Sequence, residues 1–178
     1  MNSEKKKAIT KEIISYVITF AVALVVGLLI NRFIIASIYV PTGSMESTIH
    51  VGDRLFGNRL AYINSEPQRG DIVVFPWPDN EEEIYIKRII GLPGETINIV
   101  DGKVYVNDSE EPLDEPYLNE TPYGSFGPYE VPEGCYFMLG DNRNSSADSR
   151  CWNNPYVEGD KIQSKAICVY FPNPRMLE

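Results

Sequence analysis

"IYIKRII", residues 84–90, sets two basic side chains inside an apolar, β-branched run. Read as a strand, it alternates faces: Lys87 shares one with Tyr85 and Ile89, and Arg88 shares the other with Ile86 and Ile90. Working outward, "GDIVVFPW" (residues 70–77) and "CYFMLG" (residues 135–140) have the same β-branched and aromatic character and are bounded by Gly, Pro and Asp. In "ETINIVDGKVYVND" (residues 95–108), two strand-like runs flank Asp101-Gly102, a preferred dipeptide for a tight hairpin turn. No segment of comparable helical period follows residue 33, and no internal repeat is visible, so the expected class is mainly β. Residues 107–130, rich in Pro, Glu, Asp and Tyr, read as a surface excursion from that sheet structure.

Toward the N-terminus, "IISYVITFAVALVVGLLI" (residues 13–30) carries no charge over 18 residues, about 27 Å as a helix and close to the apolar thickness of a bilayer. Apolar residues on every side leave no polar face for a core helix to show to water, which favours a membrane span. A cleaved signal peptide would have a shorter apolar region and a small-x-small site, whereas "RFIIASIYV" continues apolar after it. The expected organisation is a segment 1–12, an anchor 13–32 and one folded domain 33–178. Lys5, Lys6, Lys7 and Lys11 precede the span and only Arg32 closely follows it, so the N-terminus is expected in the cytoplasm and the domain outside. After residue 11 the chain has 12 basic and 24 acidic side chains, a balance that argues against nucleic acid as partner. Phe33, Ile34, Ile35 and Ile38, together with the aromatic-rich Phe75, Pro76, Trp77 and Pro78, suggest a surface resting on membrane lipid.

"VPTGSMEST" (residues 40–48) places Ser44 shortly after the span. A serine hydroxyl is a poor nucleophile without a base, and the chain has one histidine, His50. The stretch is therefore an ordinary turn or a site with another base. Lys87 is the candidate, since burial between apolar neighbours lowers a lysine pKa by up to several units. Residues alone leave it open whether Lys87 is such a base or snorkels to solvent from a sheet edge. Cys135, Cys151 and Cys168 permit at most one intramolecular disulfide. Neither their spacing nor the single histidine suits a metal, so no metal and no cofactor are expected. The triplets at Asn107, Asn119 and Asn144 matter only in a glycosylating compartment.

"PTGSMEST", "GDIVVF", "YIKRIIGLPGE" and "GDNRNSSADSR" stand in an order that resembles the bacterial type I signal peptidases, in their short, Gram-positive-like form. The resemblance implies a membrane-anchored serine endopeptidase that removes signal peptides from exported preproteins. Ser44 would be its nucleophile and Lys87 its general base, with Thr42 and the Ser44 N–H as oxyanion donors. Ser146 would orient the lysine, and Arg88 with Asp141 and Asp148 with Arg150 would be supporting ion pairs. Ile38, Val40, Pro41, Met45, Ile49, Tyr85 and Ile86 would shape shallow pockets selecting Ala-x-Ala. Expected partners are preprotein signal peptides and lipid, with no obligate protein partner. With the lysine block present, the resemblance assigns the base to Lys87 and not to His50, and "RCWNNPYVEGDKI" departs from the family at the turn of Asn153 and Asn154. The self-cleaving domain of SOS repressors also uses a Ser–Lys dyad, but it is cytoplasmic and joined to a DNA-binding domain, which does not suit an anchored acidic chain. A catalytically silent anchored β-domain for adhesion or assembly is the alternative of a different class.

Overall fold

A single long helix, α1 (Ser3–Phe33), opens the computed structural model, which describes residues 3–177. Side chains are described from residue 9, so Lys5, Lys6 and Lys7, on which the expected orientation rests, lie outside them. Within α1, Ile9–Phe33 is 25 residues long and apolar enough to cross a membrane. None of this stretch is buried, and its apolar side chains are exposed around the whole circumference. In water that surface would be costly to expose; in hydrocarbon it is matched on every side. The chain divides into Met1–Ile35 and Ala36–Glu178.

The second unit is built of strands: β1 (Ile35–Tyr39), β2 (Arg54–Asn58), β3 (Ile72–Trp77), β4 (Asn80–Gly91), β5 (Thr96–Val100), β6 (Lys103–Val106), β7 (Phe126–Glu130), β8 (Cys135–Leu139), β9 (Tyr156–Glu158), β10 (Ser164–Phe171) and β11 (Arg175–Met176). The larger sheet has the order β1-β2-β10-β3-β4-β8-β9, with β11 paired to β10, and the smaller has the order β6-β5-β7. The β5–β6 hairpin turns at Asp101 and Gly102 with φ of 48° and 80°, the left-handed conformations that a two-residue turn of this type demands.

β4 lies between β3 and β8 in the larger sheet. It pairs with β3 from Trp77↔Asn80 to Ile72↔Arg88, but with β8 only from Arg88↔Leu139 to Gly91↔Phe137. Among the described residues, the β4 edge from Asn80 to Lys87 that faces away from β3 has no strand partner. Burial follows pairing, since β4 is exposed or half-buried to Ile86 and wholly buried from Lys87 onward, except for its neighbouring turn. Phe75 is buried in the core that also holds Val73, Ile89, Met138 and Trp152, Pro76 is buried as well, and Trp77 stacks on Tyr85. That corrects the expected lipid-facing role of Phe75 and Pro76: β3 is interior to the sheet, covered by strands on both edges and by aromatic side chains.

Residues 107–130 lie at the surface, with none of them fully buried, and are tied to the domain at several points. They end in β7, which pairs with β5, and Leu113 packs against the core around Ile90, Ile97 and Phe137. Glu115 forms a buried ion pair with Arg143, one carboxylate oxygen accepting from Nη1 at 3.0 Å. Tyr117 places its ring 3.8 Å from the Arg88 guanidinium. The turn at Asn153 and Asn154 is fixed as well: the Asp79 carboxylate accepts both backbone N–H groups, each at 2.8 Å.

Candidate active site

Two loops and one strand meet at Ser44. The first loop leaves β1 and closes on itself, with Val40 N–H bonded to Asp53 O at 3.0 Å and Gly52 N–H to Val40 O at 2.9 Å. Met45 and Ile49 turn inward and join Val40, Leu55, Ile72 and Val169 in one buried cluster. They are plugs that seat the loop, which corrects their expected role in a substrate pocket: Val40, Met45 and Ile49 have at most 1% of their surface exposed and cannot meet a peptide. Arg175 of β11 ties the loop down further, donating to Thr48 O at 3.0 Å and to Asp53.

The second loop follows β8. The Asn142 N–H donates to Ser44 O at 3.1 Å, and its side-chain amide to Gly43 O at 2.8 Å. Such close approach requires Gly140, where a Cβ would lie 2.4 Å from Ser44 O and 2.2 Å from Ser146 Oγ. The loop is braced by Asp148, which takes two bonds from the Arg150 guanidinium, both at 2.8 Å, one from the Arg150 N–H at 3.3 Å and one from the Gly140 N–H at 3.1 Å. Asp141 is held by Arg88 in a two-bond fork of 2.9 and 2.7 Å, and by the Thr48 hydroxyl at 2.5 Å. The Arg88–Asp141 fork is buried and links β4 to this loop.

From β4, Lys87 projects to the opposite face from Arg88. Its Nζ lies 2.5 Å from Ser44 Oγ and 5.5 Å from the centre of the Tyr85 ring, and only 3% of the residue is exposed. Snorkelling is thereby ruled out in this structure, since the ammonium end is the buried end. Burial pushes the Lys87 pKa down to about 8, against an opposing pull from the carboxylates of Asp148 and Asp141. Among the described residues no acceptor takes the Ser44 N–H. Thr42 is exposed on the wall beside it. Ser146 differs from expectation: its hydroxyl is buried next to Gly140 and has no hydrogen-bond partner among the described residues, so no bond to Lys87 is formed. His50 is exposed and paired with Glu46.

Ser44 and Lys87 open into a cleft of about 820 Å³. Its walls include Ile38, Pro41, Tyr85 and Ile86 from the expected set, and also Val74, Asn142 and Ser164, which the sequence did not single out. Asn142 had a signal in "GDNRNSSADSR", but its two carbonyl partners lie 98 and 99 residues away and appear only in the folded chain. The arrangement can deprotonate a serine hydroxyl with a buried lysine next to an open strand edge, which is the chemistry of acyl transfer from an extended peptide.

Comparison with known proteins bears on that chemistry. Residues 13–171 match the family described as signal peptidase, peptidase S26. Signal peptidase I of Bacillus licheniformis is 38% identical over 182 residues, covering 97% of this chain and 96% of that protein. Probable signal peptidase I-2 of Synechocystis sp. is 39% identical over 163 residues, 89% of this chain and 73% of its own length. A crystal structure of a signal peptidase I from Enterococcus faecalis is 37% identical and aligns with 57% of this chain and 97% of its own at a TM-score of 0.49.

Proposed function

The chain belongs to the signal peptidase family, peptidase S26, and from that premise we propose that Ser44 and Lys87 are the dyad with which it removes N-terminal signal peptides from exported preproteins. The observation that carries the assignment is the 2.5 Å separation of Lys87 Nζ and Ser44 Oγ in a buried setting. Neutral Lys87 accepts the hydroxyl proton as Ser44 attacks the scissile carbonyl, and returns it to the leaving amine. A water then repeats the cycle and releases the acyl group. The unclaimed Ser44 N–H and the Thr42 hydroxyl stabilise the oxyanion. Arg88, Asp141, Asp148 and Arg150 hold the loops that carry these groups. A non-catalytic β-domain would have no use for a desolvated lysine against a serine hydroxyl.

The substrate lies extended between residues 38–42 and the open edge of β4, bonding through its main chain so that alternate side chains enter the cleft. The apolar wall of Ile38, Tyr85 and Ile86 suits small side chains one and three residues before the cut, the Ala-x-Ala pattern. The helix α1 anchors the enzyme in a single pass, with its N-terminus cytoplasmic and the strand-built unit on the outer face in contact with lipid, acting without an obligate protein partner. Ser44→Ala and Lys87→Arg should both abolish preprotein cleavage, the latter because a guanidinium stays protonated. An active-site serine probe should label the wild type and not Ser44→Ala. Appreciable cleavage by either variant would overturn the dyad.

A further inference from the structure

Asn142 precedes a 3-10 turn, Arg143–Ser145, at the position where an asparagine side chain ordinarily caps the turn that follows it. It makes no such bond. Its amide instead crosses to the loop of Ser44 and donates to Gly43 O at 2.8 Å, a partner 99 residues away in the chain. A carbonyl oxygen cannot donate, so the NH2 end of the side chain is the one that faces it. The Asn142 backbone N–H donates to Ser44 O at 3.1 Å, a bond that does not depend on the side chain. One residue thus holds both carbonyls that flank the Ser44 Cα.

Gly43, Ser44 and Asn142 are each half-buried and border the cleft, so the peptide between Gly43 and Ser44 is within reach of a substrate. That peptide is trans, and in a trans unit the C=O and the N–H point in opposite directions in one plane. Whatever fixes Gly43 O therefore aims the Ser44 N–H. Among the described residues Gly43 O has two partners, the Glu46 N–H at 3.1 Å from the same loop and the Asn142 amide from the loop after β8. The first closes a turn and moves with it; the second refers the peptide plane to the sheet. A hydrogen bond accepted by the C=O also polarises the N–H of the same unit and makes it a better donor.

We propose that Asn142 is a positioning residue for the reaction, its side-chain amide holding Gly43 O so that the Ser44 N–H is aimed and polarised toward the developing oxyanion. This rests on the reading of Ser44 as the nucleophile and of its N–H as an oxyanion donor. Because the charge on that oxygen develops only in the transition state, the contribution falls on kcat and not on KM.

The test uses the full-length protein in detergent, a preprotein substrate and an active-site serine probe. Asn142→Ala should lower kcat about tenfold, a fraction of the roughly 10²–10³-fold lost when an oxyanion donor itself is removed, and leave KM within about twofold. The fall of kcat/KM toward acid pH should begin where it does in the wild type, since Lys87 is untouched. Asn142→Asp has the same shape but sets a carboxylate against Gly43 O, so above that fall it should be slower than Asn142→Ala; packing alone would make it the faster of the two. Wild-type kcat in Asn142→Ala, a loss carried by KM, an acid fall displaced to higher pH, or an Asn142→Asp enzyme at least as fast as Asn142→Ala would each overturn the proposal. If both variants fail to fold, as judged by chemical denaturation, the bond is a structural tie and the proposal falls as well. A wild type that the serine probe does not label would instead sink the assignment of Ser44 on which the proposal stands.

Discussion

Lys87 carries a thermodynamic load that the role proposed for it, a neutral base, would explain. With its pKa lowered from 10.5 to about 8 by burial, the unfolded chain holds this proton between those limits and the folded chain does not, so folding stability gained from this group rises with pH across that window. Below about pH 8 both states are protonated and the folded protein bears the full cost of a buried ammonium, about 3 kcal/mol. Lys87→Met should therefore raise stability at pH 7 by an amount of this order, measured by chemical denaturation in detergent, and the gain should shrink toward pH 10.5. A gain independent of pH would mean that packing and not charge is responsible. The same value predicts that kcat/KM falls about tenfold per pH unit below pH 8, as the neutral base is lost. What the sequence supplied here was the alternation that sends Lys87 and Arg88 to opposite faces. The meeting of Lys87 with Ser44, 43 positions apart, was legible only through resemblance, because no local pattern encodes it. Val40, Met45 and Ile49 were misassigned for a related reason: proximity in sequence to Ser44 does not say whether a side chain points into the cleft or beneath the loop.

At the scale of elements, the strands were readable wherever composition and turn chemistry agreed, as at Asp101-Gly102, where the left-handed dihedrals and the sequence coincide. Residues 107–130 were not, because few of their side chains are buried and the ones that matter act through distant polar partners. Glu115 is the clearest case. Its carboxylate is 7% exposed and its partner, Arg143, 2%, so the pair joins this segment to the loop that follows β8. Removing one member of a buried pair strands the other charge, at a typical cost of roughly 3–5 kcal/mol. Glu115→Ala should thus lower stability by about that amount and reduce kcat, since Arg143 also donates to Gly140 O at 3.0 Å in the loop that holds Ser44. Urea unfolding and steady-state cleavage measure the two effects. A Glu115→Ala enzyme with wild-type stability would show that this ion pair does not tie the surface segment to the domain.

Across the whole molecule, the distribution of charge and of apolar surface bears on which compartment would hold the chemistry. Lys5, Lys6 and Lys7 precede the 25-residue apolar stretch Ile9–Phe33 and Lys11 lies in its first turn, while the rest of the chain is strongly acidic, so the lysines favour a cytoplasmic N-terminus. If α1 crosses once, Ser44, Lys87 and the open edge of β4 all belong to the outer side, where exported preproteins emerge. The chain carries its own reporter for this. All three cysteines are free thiols, and Cys151 alone is exposed, with Cys135 and Cys168 partly buried. Cys151 adjoins Arg150, and its Sγ bonds to Asp148 O at 3.3 Å, so a label on it reports the compartment of the loop that carries Asp148 and Arg150. In intact cells producing the full chain, a membrane-impermeant maleimide should label the wild type and leave Cys151→Ser largely unlabelled. Labelling of Cys151 only after the membrane is permeabilised would place the cleft in the cytoplasm, and a peptidase with its dyad there could not act on signal peptides at the outer face.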